Sequence, residues 1–153
     1  MAWSSIVSAL ATRIDAVTGV NGVYQYLRWS KDAAGTDGWR TLFVTSGVMQ
    51  TWMLTRTRQT SSICEDDDNR YRVRHDVEVQ AFYALDDSAA TETTFNGLVS
   101  AVCADLRTGD RTLGGACVTL TEPQAEVRHG MFGQGQGVLS HVATIRFTVE
   151  EVL

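Results

Sequence analysis

The chain has 153 residues, a length that favours a single domain over residues 1–153. Apolar residues make up 44% and charged residues 20%, a composition typical of a globular domain and not of a disordered chain. The formal net charge of −5 argues against a protein that grips nucleic acid through its phosphates. No apolar run approaches the ~18 residues of a membrane span, and Met1–Leu10 lacks the pattern of a signal peptide. We therefore expect synthesis in the cytoplasm and no membrane contact.

The cysteines support an intracellular chain. Cys64, Cys103 and Cys117 are odd in number and widely spaced, with no Cys-x-x-Cys pair for zinc or redox chemistry. We expect three reduced thiols, with Cys103 in the core. A disulfide between two of them is the alternative.

The N-terminal third begins with a helix. Its apolar stripe has helical spacing and consists of Trp3, Ile6, Val7, Leu10, Ile14 and Val17. Gly19 is placed to end this helix. Residues 23–29 (VYQYLRW) predict a short strand, residues 30–38 (SKDAAGTDG) a loop, and residues 39–46 (WRTLFVTS) a second strand.

Two longer strands follow. Residues 48–60 alternate so that Trp52, Leu54, Arg56 and Arg58 are expected on one face. Residues 70–85 give the clearest period of two, with apolar residues on one face and mostly charged residues on the other. This run exceeds the usual strand maximum of about 10 residues. Such a ribbon is expected to project beyond its domain and reach a neighbouring subunit.

The second half predicts another helix and a final set of strands. The helix follows Asp86–Ser88, carries an apolar stripe from Phe95 to Leu106, and ends at Gly109. Gly97 lies in the middle of this helix, where a glycine costs stability. It indicates either close packing of another element at that position or a glycine that is simply tolerated there. Strands are expected at 116–121, at 125–132 beyond Pro123, and at 139–153. The predicted class is α+β: an antiparallel sheet with two main helices packed on one face.

The histidines and the glycine-rich turn do not form a recognisable catalytic or ligand-binding motif. His75 lies on the apolar face of its strand and is interpreted as a locally hydrogen-bonded core or interface residue. His129 and His141 flank a glycine-rich turn (133–137) and are expected to approach each other across a hairpin, but zinc needs three or four ligands. The turn's glycines lie between strands, which disfavours a dinucleotide loop. We expect no enzyme activity, catalytic residue, metal or cofactor.

The strongest functional signal is charge. Acidic residues form a turn between arginine-rich strands, and the arginines are expected either to be salt-bridged within the chain or to meet an oppositely charged neighbour. The loops at 30–38 and 133–137 are also expected to contact partners. The candidate interface residues are Arg56, Arg58, Glu65, Asp66, Asp67, Asp68, Arg70, Arg72, Arg74, Asp32, Asp37, Gln134 and Gln136.

The layout resembles the tail terminator (tail completion) proteins of long-tailed bacteriophages. The resemblance covers most of the chain. It rests on the amphipathic N-terminal helix, the VYQYLRW strand with its small-residue loop, and the arginine-flanked hairpin. It continues through RHDVEVQAFYALDDSAATETTFNGLVSAVCADLR, in which a strand passes through Asp86 and Asp87 into a helix, then TLGGACVTL and the closing strand.

The resemblance implies a structural virion protein of the tail or neck. Such proteins form a homo-oligomeric ring, usually a hexamer, on the last ring of the tail tube protein. The ring stops tube growth, offers a surface to the head–neck connector protein, and lets DNA pass through its lumen without sequence-specific binding. The alternatives are another head–tail connector, another minor tail protein, or a small-ligand-binding α+β domain.

Overall fold

The computed structural model describes residues 3–28, 43–45, 47–65, 67–132 and 138–153; of Thr45, Asp67, Asp68 and Phe132 it describes the backbone alone. Helices α1 (Trp3–Asp15) and α2 (Thr91–Thr108) accompany seven strands in this part of the chain. A short 3₁₀ turn, Asp87–Ala89, precedes α2. The strands are β1 (Val23–Tyr24), β2 (Val44–Thr45), β3 (Val48–Cys64), β4 (Asp67–Ala84), β5 (Thr119–Leu120), β6 (Gln124–Phe132) and β7 (Val138–Val152).

The sheet is mixed but mostly antiparallel. Its strand order is β1-β3-β4-β7-β5, with β2 also paired to β3 and β6 also paired to β7. The long β3–β4 hairpin pairs from Gln50 opposite Tyr83 to Cys64 opposite Asp67. β7 covers the other side of β4, from Arg72 opposite Val152 to Ala84 opposite Ser140. β4 is therefore the central strand.

Both helices contribute to one core on one face of the sheet. Leu10 and Ile14 of α1, together with Phe95 and Val102 of α2, join Trp52 and the alternating valines of β4 in a single buried cluster. Alternation along the strands produces this arrangement, because every second residue of a strand lies on the same face. The α+β class expected from the sequence is confirmed.

A smaller cluster covers part of the opposite face. Phe43, Met49 and Met53 are buried there, and Phe82 and Val138 pack against them. The Tyr24 and Phe43 rings meet edge to face at 5.8 Å. This cluster lies at the end of the sheet far from the β3–β4 turn, so the turn end has no such cover among the described residues.

Several element bounds differ from the predictions. The strand expected at 23–29 is confined to Val23–Tyr24 among the described residues and runs parallel to β3. Of the strand expected at 39–46, the described part is Val44–Thr45. The strand expected at 116–121 is shortened to Thr119–Leu120, because Asp110–Ala116 forms hydrogen-bonded turns. Local β propensity cannot show where a turn network takes over.

We predict that Gly97→Ala stabilises the protein by about 0.5–1 kcal/mol, because a glycine inside a helix costs that much relative to alanine. A methyl group at Gly97 would meet no atom within 4 Å, which identifies the glycine as tolerated and not as a packing requirement. Urea unfolding measures the change.

The matched control is Gly22→Ala. Gly22 has a φ of +71°, and a methyl group there would lie 2.7 Å from the carbonyl oxygen of Gln50. This variant is expected to lose stability. Equal effects of the two substitutions would contradict the assignment.

Candidate interaction surface

The β3–β4 hairpin extends beyond the helical layer as an arm, defined here as residues 58–65 and 67–74. Along β3, residues 56–63 are all exposed, whereas residues 49–54 are buried. β7 accompanies the arm on one side, and the backbones of Tyr71 and Leu153 exchange two hydrogen bonds of 2.9 and 2.8 Å. The arm is thus a three-stranded ribbon that is exposed toward its end, whereas Val73 and its β7 partner Glu151 nearer the base are buried.

The face of the arm that continues the helix side is apolar at its end. Ile63 lies opposite Tyr71 in the register, and Tyr71 pairs with Leu153. Their exposed fractions are 56%, 48% and 54%. An in-register row of three large exposed apolar side chains is characteristic of a contact surface. This row was not predicted from the sequence, although the alternation of Tyr71 with the arginines pointed to it.

The other face of the arm is basic. Arg70, Arg72 and Arg74 alternate with the apolar residues of β4 and are exposed. Within the described residues, no carboxylate lies within 4 Å of the Arg70 or Arg72 guanidinium, whereas Arg74 approaches Asp76 at 3.6 Å. These three arginines share one exposed face, and Arg70 and Arg72 have no acidic partner among the described side chains; their role in an interface stays a prediction.

Arg56 and Arg58 do not share a face, contrary to the prediction. The register slips between them, so that Arg56 lies opposite Val77 and Arg58 opposite Asp76. A β-bulge at Thr57 inserts one residue and reverses the alternation beyond it. Arg56 consequently lies on the helix side, where its guanidinium carbon is 5.1 Å from the centre of the Trp3 ring. Its Nη1 donates a hydrogen bond of 2.6 Å to Gln59 Oε1. Arg58 instead lies on the basic face with Arg70, Arg72 and Arg74.

The remaining predicted interface residues are only partly placed. Glu65 is exposed at the turn of the arm. Asp67 and Asp68 belong to β4, and nothing further is described of their side chains. Four residues of the two predicted loops and one acid of the turn lie outside the described residues: Asp32, Asp37, Gln134, Gln136 and Asp66.

A buried polar group anchors the base of the arm. His75 is 1% exposed and its Nε2 lies 2.9 Å from Glu151 Oε1. The Trp3 ring packs on the imidazole at 5.3 Å. The interpretation of His75 as a locally hydrogen-bonded buried residue is confirmed. Asp76, next to it in the strand, lies on the opposite face, so these two side chains do not converge on a pocket.

The second histidine pair lies across β6 and β7. His129 and His141 are register partners with ring centroids 5.2 Å apart, as expected from the hairpin. His141 is buried, stacks on Phe95, and has its Nε2 2.9 Å from Thr91 Oγ1. Its Nδ1 has no hydrogen-bond partner among the described residues. Burial, and secondly the charge of His129, lowers the pKa of His141; Glu92 and Asp87 act in the opposite direction.

The lowered pKa of His141 predicts a pH-dependent stability. The unfolded chain protonates this imidazole near pH ~6.5, whereas the folded chain does so only at lower pH. The free energy of unfolding should therefore fall as the pH drops below about 6.5. We expect urea midpoints to fall less between about pH 7.5 and about pH 5 in His141→Gln than in the wild type. Parallel pH profiles would contradict this.

The remaining His, Cys, Asp and Glu side chains of the described part of the chain do not come together in a metal site. No group of three or more His, Cys, Asp or Glu side chains there could hold a metal ion. Cys103 is buried as predicted, Cys117 is buried and Cys64 is half-buried, all as free thiols. Burial raises the pKa of Cys117 to about 11. Neither described helix is long and apolar enough to cross a membrane.

A shallow groove of about 550 Å³ runs beside α1. Its lining is mainly small residues of that helix, such as Ser5, Ser8 and Ala9. Arg13 and Asp110 also line it, and Arg13 is already hydrogen-bonded to Asp105 and to the Asp110 carbonyl. The groove therefore presents few polar groups that are free to bind a ligand.

No protein-family model matches the chain, and no curated protein is similar enough to match it.

Proposed function

We propose that the chain is a structural protein of a bacteriophage tail. In this proposal it assembles into a ring that caps the tail tube, ends polymerisation of the tube, and joins the tail to the head–neck connector. DNA passes through the lumen of the ring. The ring is usually hexameric in the proteins that the sequence resembles, and that number is part of the proposal.

The observation that carries the proposal is the two-faced arm. The ribbon has an exposed apolar row on one face and exposed arginines on the other, of which Arg70 and Arg72 have no acidic partner among the described side chains. Burying the row of Ile63, Tyr71 and Leu153 against a neighbour would contribute favourable free energy in proportion to the apolar area removed from water. The arginines would supply orientation through charge complementarity.

The charge balance supports passage of DNA without tight binding. The chain has 18 acidic and 13 basic residues. A net negative ring repels phosphate, which keeps non-specific affinity low. Arg70, Arg72 and Arg74 share one exposed face of the arm, which suits contact with an acidic protein surface.

We predict that replacing Arg70, Arg72 and Arg74 together by Glu raises the protein concentration needed for assembly at least tenfold. Surface substitutions of this kind change the free energy of unfolding by about 0.5 kcal/mol or less each, so the variant should remain folded. Light scattering behind size exclusion measures assembly, and thermal unfolding measures stability.

The matched control replaces the same arginines by lysine. Lysine keeps the positive charge but not the bidentate geometry, so most of the assembly should survive. Unfolding of the glutamate variant would show instead that the arginines hold the domain together. Unchanged assembly of the glutamate variant would remove the basic face from the interface.

Negative-stain microscopy tests the function itself. The protein is co-expressed with the tail tube protein of the same viral genome, and the tubes are imaged with and without it. We expect ring-shaped particles and tubes that are shorter and capped at one end. Rings that leave the tubes unchanged would favour a connector or another minor tail protein. A protein that stays monomeric and leaves the tubes unchanged would favour a small-ligand-binding domain.

A further inference from the structure

We infer that successive copies of the chain join edge to edge, with the outer edge of β3 in one copy pairing with the outer edge of β6 in the next. This inference rests on the proposed ring and names the surfaces that build it. The partner is a second copy of the chain, and the contact is a continuation of the β-sheet.

The outer edge of β3 is open along the arm. Tyr71 directs its backbone N–H and C=O to Leu153, away from β3. Its register partner Ile63 therefore directs its own backbone groups away from β4. The register is unbroken back to Gln59, so Gln59 and Ser61 do the same. No described residue bonds to these outward groups.

The outer edge of β6 is open in the same way. Leu85 donates its backbone N–H to the carbonyl oxygen of Leu139. The backbone N–H and C=O groups of the odd-numbered residues of β7 therefore point toward β4, and those of the even-numbered residues point toward β6. Residues of β6 opposite the even-numbered positions are thus bonded to β7, and those between them point outward. Val127 and His129 are examples. No described residue bonds to their outward groups either.

The two edges are complementary in side chains. Ile63 at the β3 edge and Val127 and Met131 at the β6 edge belong to the helix-side face, by their register with Tyr71, Ala143 and Leu139. Val127 is 44% and Met131 65% exposed. Edge pairing would bring these apolar side chains together on one face of a continuous sheet.

Charge favours the β3–β6 combination over parallel pairing of two β3 edges, which would bring Arg56 and Arg58 of one copy beside those of the next. Both arginines lie at the N-terminal end of the open stretch of β3. β6 offers one acid, Glu126, which lies 3.6 Å from Arg146 of its own chain, and one base, Arg128. Such a contact joins two different edges of the same chain. A heterologous contact repeats head to tail and gives either a ring or a filament.

Proline variants at the two edges test the inference. Proline removes a backbone N–H and is tolerated on edge strands. Ser61→Pro and Val127→Pro each remove one outward N–H and leave the β3–β4 and β6–β7 bonds intact. Each variant alone is expected to remain monomeric at concentrations at least tenfold above those at which the wild type assembles. Ser61→Ala and Val127→Ala keep the N–H and should assemble close to the wild type.

Mixing the two proline variants gives the sharpest result. The Ser61→Pro protein keeps its β6 edge and the Val127→Pro protein keeps its β3 edge. An equimolar mixture should therefore form a one-to-one dimer and nothing larger. Dimers of Val127→Pro alone would show pairing between β3 edges and overturn the inference. A mixture that stays monomeric, or a wild type that is monomeric throughout, would overturn it as well.

Amide hydrogen exchange on the wild type provides a measurement that needs no variant. Peptides covering 57–64 and 124–132 should be protected in the assembled protein and exchange rapidly after dilution. Unprotected edges in an assembled protein would overturn the inference while leaving the ring intact. Protected edges in a protein that does not cap tubes would support it and remove the proposed function.

Discussion

The pairing of β4 along both of its sides is the constraint on which the rest of the structure depends. β3 and β7 hydrogen-bond to it over almost its whole length. Because its register is fixed on both sides, a slip of one residue would move Val77, Val79 and Ala81 out of the core. The helices can then pack on one face only, and β4 carries the arm beyond them.

The same pairing decides where the molecule can interact. The helices cover the inner part of the sheet, and the cluster of Phe43, Met49 and Met53 covers part of the other face at one end. Among the described residues, the arm, the outer edge of β3 along the arm and the outer edge of β6 remain open. Open edges attract further strands, and proteins ordinarily protect them with charges, bulges or short strands. The bulge at Thr57 lies at the base of the open stretch of β3, and the register beyond it is regular from Arg58 to Ile63.

Buried histidines hold the sheet at two places. The His75–Glu151 contact joins β4 to β7 at the base of the arm, and Thr91 links His141 of β7 to the start of α2. Buried polar contacts of this kind specify geometry, since an unsatisfied polar group in the core costs about 1–3 kcal/mol. The first contact lies at the base of the arm, and the second lies on β7, the strand that pairs with β6.

The sequence by itself determined the α+β class, both helices, the long ribbon and the alternation of arginines with apolar residues in β4, because these depend on local periodicity. It misplaced Arg58 relative to Arg56, since a bulge arises from pairing and leaves no local signal at Thr57. Only the tertiary structure decided that Ile63, Tyr71 and Leu153 form one row and that β3 and β6 lie at open edges. Strand order and register are set by contacts between residues far apart in the chain, and no local pattern contains them.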